Sequence, residues 1–524
     1  MLKVFKMVYL SLIFVLTIQW VAAQKKKVIE LLHANILEYE KKEGADVKKL
    51  IGDVALKHLD VIMNCDSAYL YGDENRLEAY HNIHINKNDS VHIYGEKLDY
   101  DGNNRYATIH KSVKMESHDF LLFCEELHYD MQAGRAHYST GAIIEDKSDR
   151  SILHSVIGYY FVSPGTFFFK EKVRLVHPDY VITTDTLKYD PAGKISWFLG
   201  PTEITSDTTF ITCRNGWYDS KNDIAMFKDD AGIRSGHRWL KADSIYYLRT
   251  TGNGEAFRHI EYTDTSDDIV IRGNYGRYNN NFATSVVTDS TLLIMAFGSD
   301  SLFLHGDTLR AIEDSVTGEK TFYCYYRVRF YKPDLQGICD SVVYSESDSA
   351  IRLFKNPILW SDEHQLTGDF IRIKMFGGEI RNMWMEQNAF ISSQVVLLDS
   401  AGADSVGYNQ IQGKNMTGYF TDNHLSKIDV KGNGKTVYYV QDEKDKFIGI
   451  NKSECSNMII LVAVNDSAAD GNTRQKIDKI TFLDKPEAIL YPVNEPKPDD
   501  LQLRKFVWEG EKRPLSREDV FRSK

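Results

Sequence analysis

The chain has 524 residues and a formal net charge of −11, from 63 Lys+Arg against 74 Asp+Glu. That length exceeds one ordinary compact domain and implies several domains or a repeat array; the acidic balance argues against nucleic acid as the main partner. Hydrophobic residues at 43% argue against wholesale disorder, and 30 Tyr and 26 Phe against 11 Pro is the composition of strands and tight turns.

Lys3 and Lys6 precede an uncharged, largely apolar run from Met7 to Ala23 that ends in Val21-Ala22-Ala23. This is the pattern of a secretory signal peptide, predicted over residues 1–23, with an uncleaved inner-membrane anchor as the alternative. No later apolar stretch is long enough for a membrane helix. The chain is expected to be exported, and either soluble or tethered at one end.

From residue 65 onward a unit recurs about every thirty residues, a period that marks a repeat architecture. It is carried by segments such as Gly95-Glu96-Lys97-Leu98-Asp99-Tyr100, Cys124-Glu125-Glu126-Leu127-His128-Tyr129 and Ala242-Asp243-Ser244-Ile245-Tyr246-Tyr247. Anchors fall at Ala68, Leu98, Leu127, Ile157, Leu187, Gly216, Ile245 and Gly276, and fainter ones at Leu309, Val342, Ile371, Met416 and Met458. The well-marked repeats span residues 24–300, degenerate ones 301–483, and a Pro-rich tail or cap 484–524.

Within a unit, apolar residues fall in pairs two apart, for example Val91/Ile93, Leu98/Tyr100, Ala107/Ile109 and Val113/Met115. A period of two is a strand with one lined face. The phase slips between the first and second pairs, so each strand must bulge or bend to keep its apolar residues inward. Turn residues such as Asp101-Gly102-Asn103-Asn104 then close a hairpin. The predicted fold is all-β: an elongated V-shaped β-jelly-roll, or β-taco, of stacked antiparallel hairpins.

Cys65, Cys124, Cys213, Cys339 and Cys455 share one small-residue slot at the bend, two or more units apart. That separation is too long for disulfides, so buried small filler is the expected role; Cys324 has no slot and is expected free. His81, His84 and His92 suggest metal ligands at first sight, but positions three apart on a strand face opposite ways, which favours surface polar residues. No nucleophile, phosphate-loop or zinc motif occurs. Neither an enzyme, a cofactor nor a metal is expected.

The repeated small-acid-x-Leu-x-Tyr-Asp strands, as in Gly95 to Asp101, resemble the OstA/LptA-like proteins of lipopolysaccharide transport, in the long OstA-like form of Bacteroidota type. Gly52-Asp53-Val54 and Gly141-Ala142-Ile143 sit where that family has its Gly-x-Val strand starts. The resemblance implies a periplasmic jelly-roll that carries lipid A acyl chains to the outer membrane in an apolar groove. It also implies partners among other Lpt-type jelly-rolls through edge-strand pairing, and possible end-to-end self-association. The groove candidates are Ile93, Leu98, Tyr100, Ile109, Leu122, Leu127, Tyr129, Ile157, Tyr159, Leu187, Tyr189, Ile245 and Tyr247. The alternative is a non-enzymatic adhesin or envelope scaffold whose β-core is filled.

Overall fold

A computed structural model describes residues 28–42, 44–297, 300–377, 379–398, 404–421, 424–441, 447–465, 474–492 and 501–522. The segment expected to be a signal peptide, residues 1–23, lies outside the described residues. The chain divides into two compact modules, residues 1–207 and 208–524. Both are built of antiparallel strands, and no α-helix occurs among the described residues. The all-β hairpin-repeat fold expected from the spacing is the one observed.

The N-terminal module comprises β1 (Glu30–His33), β2 (Ile36–Lys42), β3 (Ala45–His58), β4 (Val61–Tyr71), β5 (Arg76–Lys87), β6 (Val91–Asp101), β7 (Tyr106–Ser117) and β8 (Phe120–Asp130). It continues with β9 (Arg135–Tyr138), β10 (Ala142–Asp146), β11 (Ile152–Ser155), β12 (Ile157–Phe161), β13 (Thr166–His177), β14 (Tyr180–Asp190) and β15 (Ile195–Thr205). From β3 to β8 each strand pairs with the next. The hairpins turn on aspartates: the Asp101 carboxylate accepts the backbone N–H groups of Asn103 and Asn104 at 2.8 and 3.1 Å. Asp130 accepts in the same way from Gln132 and Ala133, and Asp190 from Ala192 and Gly193.

The bend inferred from the phase slip is a register shift in every long pairing, for example between Asn64 and Ser67 and between Tyr94 and Lys97. Alternate strands make it with two consecutive left-handed residues: His81 and Asn82 (φ 64° and 51°), Lys111 and Ser112 (64° and 49°), Glu171 and Lys172 (63° and 51°). The C-terminal module repeats the device at Asp229-Asp230, Arg258-His259, Asp289-Ser290, Tyr326-Arg327 and Gln387-Asn388. This conformation costs about 1–2 kcal/mol per non-glycine residue. Side chains that reach over the corner offset part of it, such as Asn82 Nδ2 to Asp66 at 2.8 Å and Asn388 Nδ2 to Asp369 at 2.9 Å. The facing strand supplies the small residue. At Gly95 a Cβ would lie 2.4 Å from Ile109 Cγ2, so only glycine fits.

Each folded strand thus contributes one arm to each of two facing half-sheets, with the apolar pairs between them. Leu50, Leu77, Leu98, Ile109, Leu127 and Leu187 are 0% exposed. In the C-terminal module the fainter anchors fall into one register row. Leu309 pairs with Cys324, Cys324 with Val342, and Val342 with Leu353; Leu353 pairs with Ile371, Ile371 with Met385, and Met385 with Met416.

One unit departs from the spacing. Ala136 pairs with Tyr129 on one side and with Tyr160 on the other, so the inner positions are Gly158 and Tyr160. Ile157 and Tyr159 are therefore one residue out of phase: both are half-buried, and Tyr159 pairs with His137 and stacks on it at 5.8 Å. The reason is steric. The Tyr138 ring fills the space an anchor side chain would take, and a Cβ at Gly158 would lie 2.3 Å from it.

All six cysteines are free thiols. Burial pushes the thiols of Cys65, Cys124, Cys213 and Cys324 up to about 12, so they act as apolar filler. Cys324 lies on the anchor row, where its Sγ occupies the space beside Gly306.

Candidate functional site

The interior of the N-terminal module is packed. Ile93, Leu98, Tyr100, Ile109, Leu122, Leu127, Tyr129 and Leu187 are all 0–1% exposed. Phe120 on one half-sheet meets Tyr160 and Phe167 on the other, with ring centroids 5.0 and 4.7 Å apart. The mouth between the arms is tied by tyrosines. Tyr100 Oη lies 2.6 Å from His58 Nδ1, Lys87 Nζ donates to Tyr129 Oη at 3.2 Å, and Tyr189 Oη donates to Asp146 at 2.8 Å. Each tie joins an inner tyrosine to the last turnward residue of the opposite arm, 42 or 43 positions back. Burial raises the ionisation of Tyr100 well above its ordinary range, so the hydroxyl keeps its proton.

The outer face of this module is polar. His110 lies between Asp99 and Glu126, at 3.1 and 3.0 Å, and His128 reaches Glu126 at 2.9 Å. His84 Nε2 is 3.1 Å from His92 Nδ1, whereas His81 sits on the bend near Glu96. Among the described residues no group of three or more His, Cys, Asp and Glu is disposed to hold a metal ion.

The C-terminal module is built differently inside. Its later strands lengthen to 18–20 residues, as in Glu379–Leu398, Asp404–Thr421, His424–Gln441 and Phe447–Asn465, against 11 or 12 in β4 to β8. Among the described residues three cavities open in its interior; the second and third are lined in part by these long strands, the first almost wholly by the shorter strands before them. Measured as space open to the centre of a water-sized sphere, they hold about 50, 20 and 40 Å³. They adjoin: Leu335 and Ile380 line the first and second, and Ile391 and Leu425 the second and third. The first is walled by Leu293, Met295, Leu302, Leu304, Phe322 and Phe330, with the Lys332–Asp334 ion pair at its rim, 2.6 Å apart. Ile245, in the same module, is 2% exposed, and Tyr247 is half-buried.

The outer face of this module carries its own C-terminal segment. Residues 501–522 cross the strands as a strap, held by three glutamines that are 1–2% exposed. Gln410 donates to Leu501 O and accepts from Leu503 N, both at 2.8 Å. Gln365 donates to Val507 O at 2.8 Å and accepts from Glu509 N at 2.7 Å. Gln336 accepts from Arg513 Nε at 2.8 Å. A primary amide offers one donor and one acceptor side by side, which matches the C=O and N–H of residues two apart in an extended chain. Phe506 and Trp508 pack on Tyr408, at 5.0 and 5.3 Å. The end of the tail therefore lies across the sheet face, whereas its first part, Glu487–Tyr491, pairs with Ile450–Glu454 of Phe447–Asn465, with Ile489 and Leu490 55% and 59% exposed.

Residues 25–185 and 170–243 match the family described as OstA-like protein. This stretch, less than half of the chain, is similar to that family. The search of curated proteins finds no match. The OstA-like span covers the bent hairpins of β1 to β15 and the first strands of the C-terminal module, and ends before the cavities begin.

Sequence reasoning placed the candidate residues on the inner face, apart from Ile157 and Tyr159, but missed the cavities and the strap. Neither had a local signal: the cavities depend on which side chains meet across the interior, and Gln336, Gln365 and Gln410 read as surface residues until the strap lies over them.

Proposed function

We propose that this chain is a periplasmic carrier or bridge for a lipopolysaccharide-type glycolipid, whose acyl chains rest in the adjoining cavities of the C-terminal module. The observation that carries this reading is an apolar interior with unfilled volume in a chain whose first part is OstA-like. Burying an acyl chain there gains about 0.8 kcal/mol per methylene removed from water. In the N-terminal module the residues Ile93, Leu98, Tyr100, Ile109, Leu122, Leu127, Tyr129 and Leu187 form a route for the chain only when the two arms part and the tyrosine ties open. Exposed Leu32, Ile36 and Tyr39 on β1 and β2, and Ile489 and Leu490 on Glu487–Tyr491, are the edges on which other β-jelly-rolls or a second copy would pair.

The test is photo-crosslinking in cells. A benzophenone side chain at Leu302 or Leu335 should capture acyl lipid well above the same probe at the outward Asp99. Equal capture from all three positions overturns the proposal. The packed N-terminal interior favours a second reading for that module, an envelope scaffold with a filled core. Depletion that leaves surface lipopolysaccharide intact would support it.

A further inference from the structure

The third cavity of the C-terminal module differs in chemistry from the first. Its wall contains Thr436, His364, Ser393 and Asn409 beside Ile391 and Ile411. The corresponding arm in the N-terminal module is apolar, with Met63, Ile85, Ile93, Met115 and Leu122 buried. The direction in which Thr436 points follows from strand alternation. Its neighbour Val437 packs under the strap with Leu503 on the outer face. Thr436 therefore faces inward, opposite Ile411, which belongs to the inner core. Thr436 is 1% exposed, and its Oγ1 has no hydrogen-bond partner.

A buried hydroxyl without a partner costs about 1–3 kcal/mol, and its retention beside an open cavity points to a ligand atom that completes it. No Lys, Arg, Asp or Glu lines this cavity among the described residues. Burial lowers the proton affinity of His364, which favours the neutral imidazole. A phosphate or carboxylate would find no compensating charge there, so the ligand group is uncharged, and a carbonyl oxygen would accept the Thr436 proton.

We infer that this cavity binds the carbonyl of an ester or amide at the root of an acyl chain, received by the Thr436 hydroxyl, with the chain running into the adjoining apolar cavities. The site rests on the lipid-carrier reading and specifies which part of the amphiphile is held inside the protein. The cavity's space of about 40 Å³ exceeds the 10–15 Å³ or so that a single water needs, so a small polar group fits.

The test compares two amphiphiles that differ only in the carbonyl, 1-monolauroylglycerol and its ether analogue 1-O-dodecylglycerol. Each displaces a fluorescent fatty-acyl probe from the full chain. The wild type should bind the ester about five- to tenfold more tightly than the ether, a preference worth one hydrogen bond. Thr436→Val should abolish the preference without lowering the Tm, because it removes a buried polar group and keeps the shape. An equal affinity for ester and ether in the wild type overturns the inference, as does a preference that survives in Thr436→Val. If neither amphiphile displaces the probe, the lipid-carrier reading falls with it.

Discussion

The Tyr100 hydroxyl lies 2.6 Å from His58 Nδ1, although the two residues stand 42 positions apart on opposite arms of the folded sheet. His58 is 2% exposed and Tyr100 1%, so this bond ties the mouth of the N-terminal module where water would otherwise enter. Tyr100→Phe keeps the ring and removes the tie. It should cost about 1–2 kcal/mol in urea unfolding, the price of a lost buried hydrogen bond. A cost near zero would show that the tie adds nothing to closure.

The shifted unit makes a paired prediction. Gly158→Ala drives a Cβ to within 2.3 Å of the Tyr138 ring, an overpacking that should cost about 1–3 kcal/mol. In a Tyr138→Leu background the same substitution should cost much less, because the ring is gone. The coupling in a double-mutant cycle, read from thermal melts, measures how far this one ring sets the register. Additive costs would argue against it.

The strap depends on its glutamines. Gln365→Leu removes the partners of Val507 O and Glu509 N, two part-buried bonds, at about 0.5–1.5 kcal/mol for each. Amide hydrogen exchange across residues 501–522 should quicken severalfold while β3 to β8 keep their protection. Unchanged exchange in the strap would mean that its aromatic contacts alone hold it.

Asp264 predicts a pH dependence. Burial pushes its carboxyl up, but bonds from Ser266 and Lys320 outweigh burial and hold it well below the ordinary carboxylate range. Lys320 Nζ is 2.9 Å away and Arg238 Nε 3.3 Å, while the Asp264 side chain is 0% exposed. A depressed carboxyl stabilises the fold above its unfolded pKa of about 3.9 and loses that contribution as the pH falls toward the folded value. Asp264→Asn should therefore cost about 3 kcal/mol at pH 7, and the gap to the wild type should begin to narrow below about pH 4 and shrink further as the pH falls toward the folded value. A gap independent of pH would place the effect in packing.

The strand period, the hairpin aspartates and the bend were legible in the sequence because each is a local rule. Apolar residues two apart mark a strand, Asp followed by Asn or Gly a turn, and an odd phase slip a bulge. Repetition made them readable, since a weak motif in phase many times over is a strong one. Three features were not legible, because each depends on volume or on contacts between distant residues. The one-residue shift at Gly158 follows from where the Tyr138 ring goes. The glutamines of the strap look like surface residues until residues 501–513 lie over them. The cavities depend on which side chains meet across the interior, from Leu293 and Phe330 around the first to Ile411 and Thr436 around the third. The sequence by itself determined a bent, one-face-lined hairpin repeat, and only the tertiary structure decided which part of the interior is full and which is open.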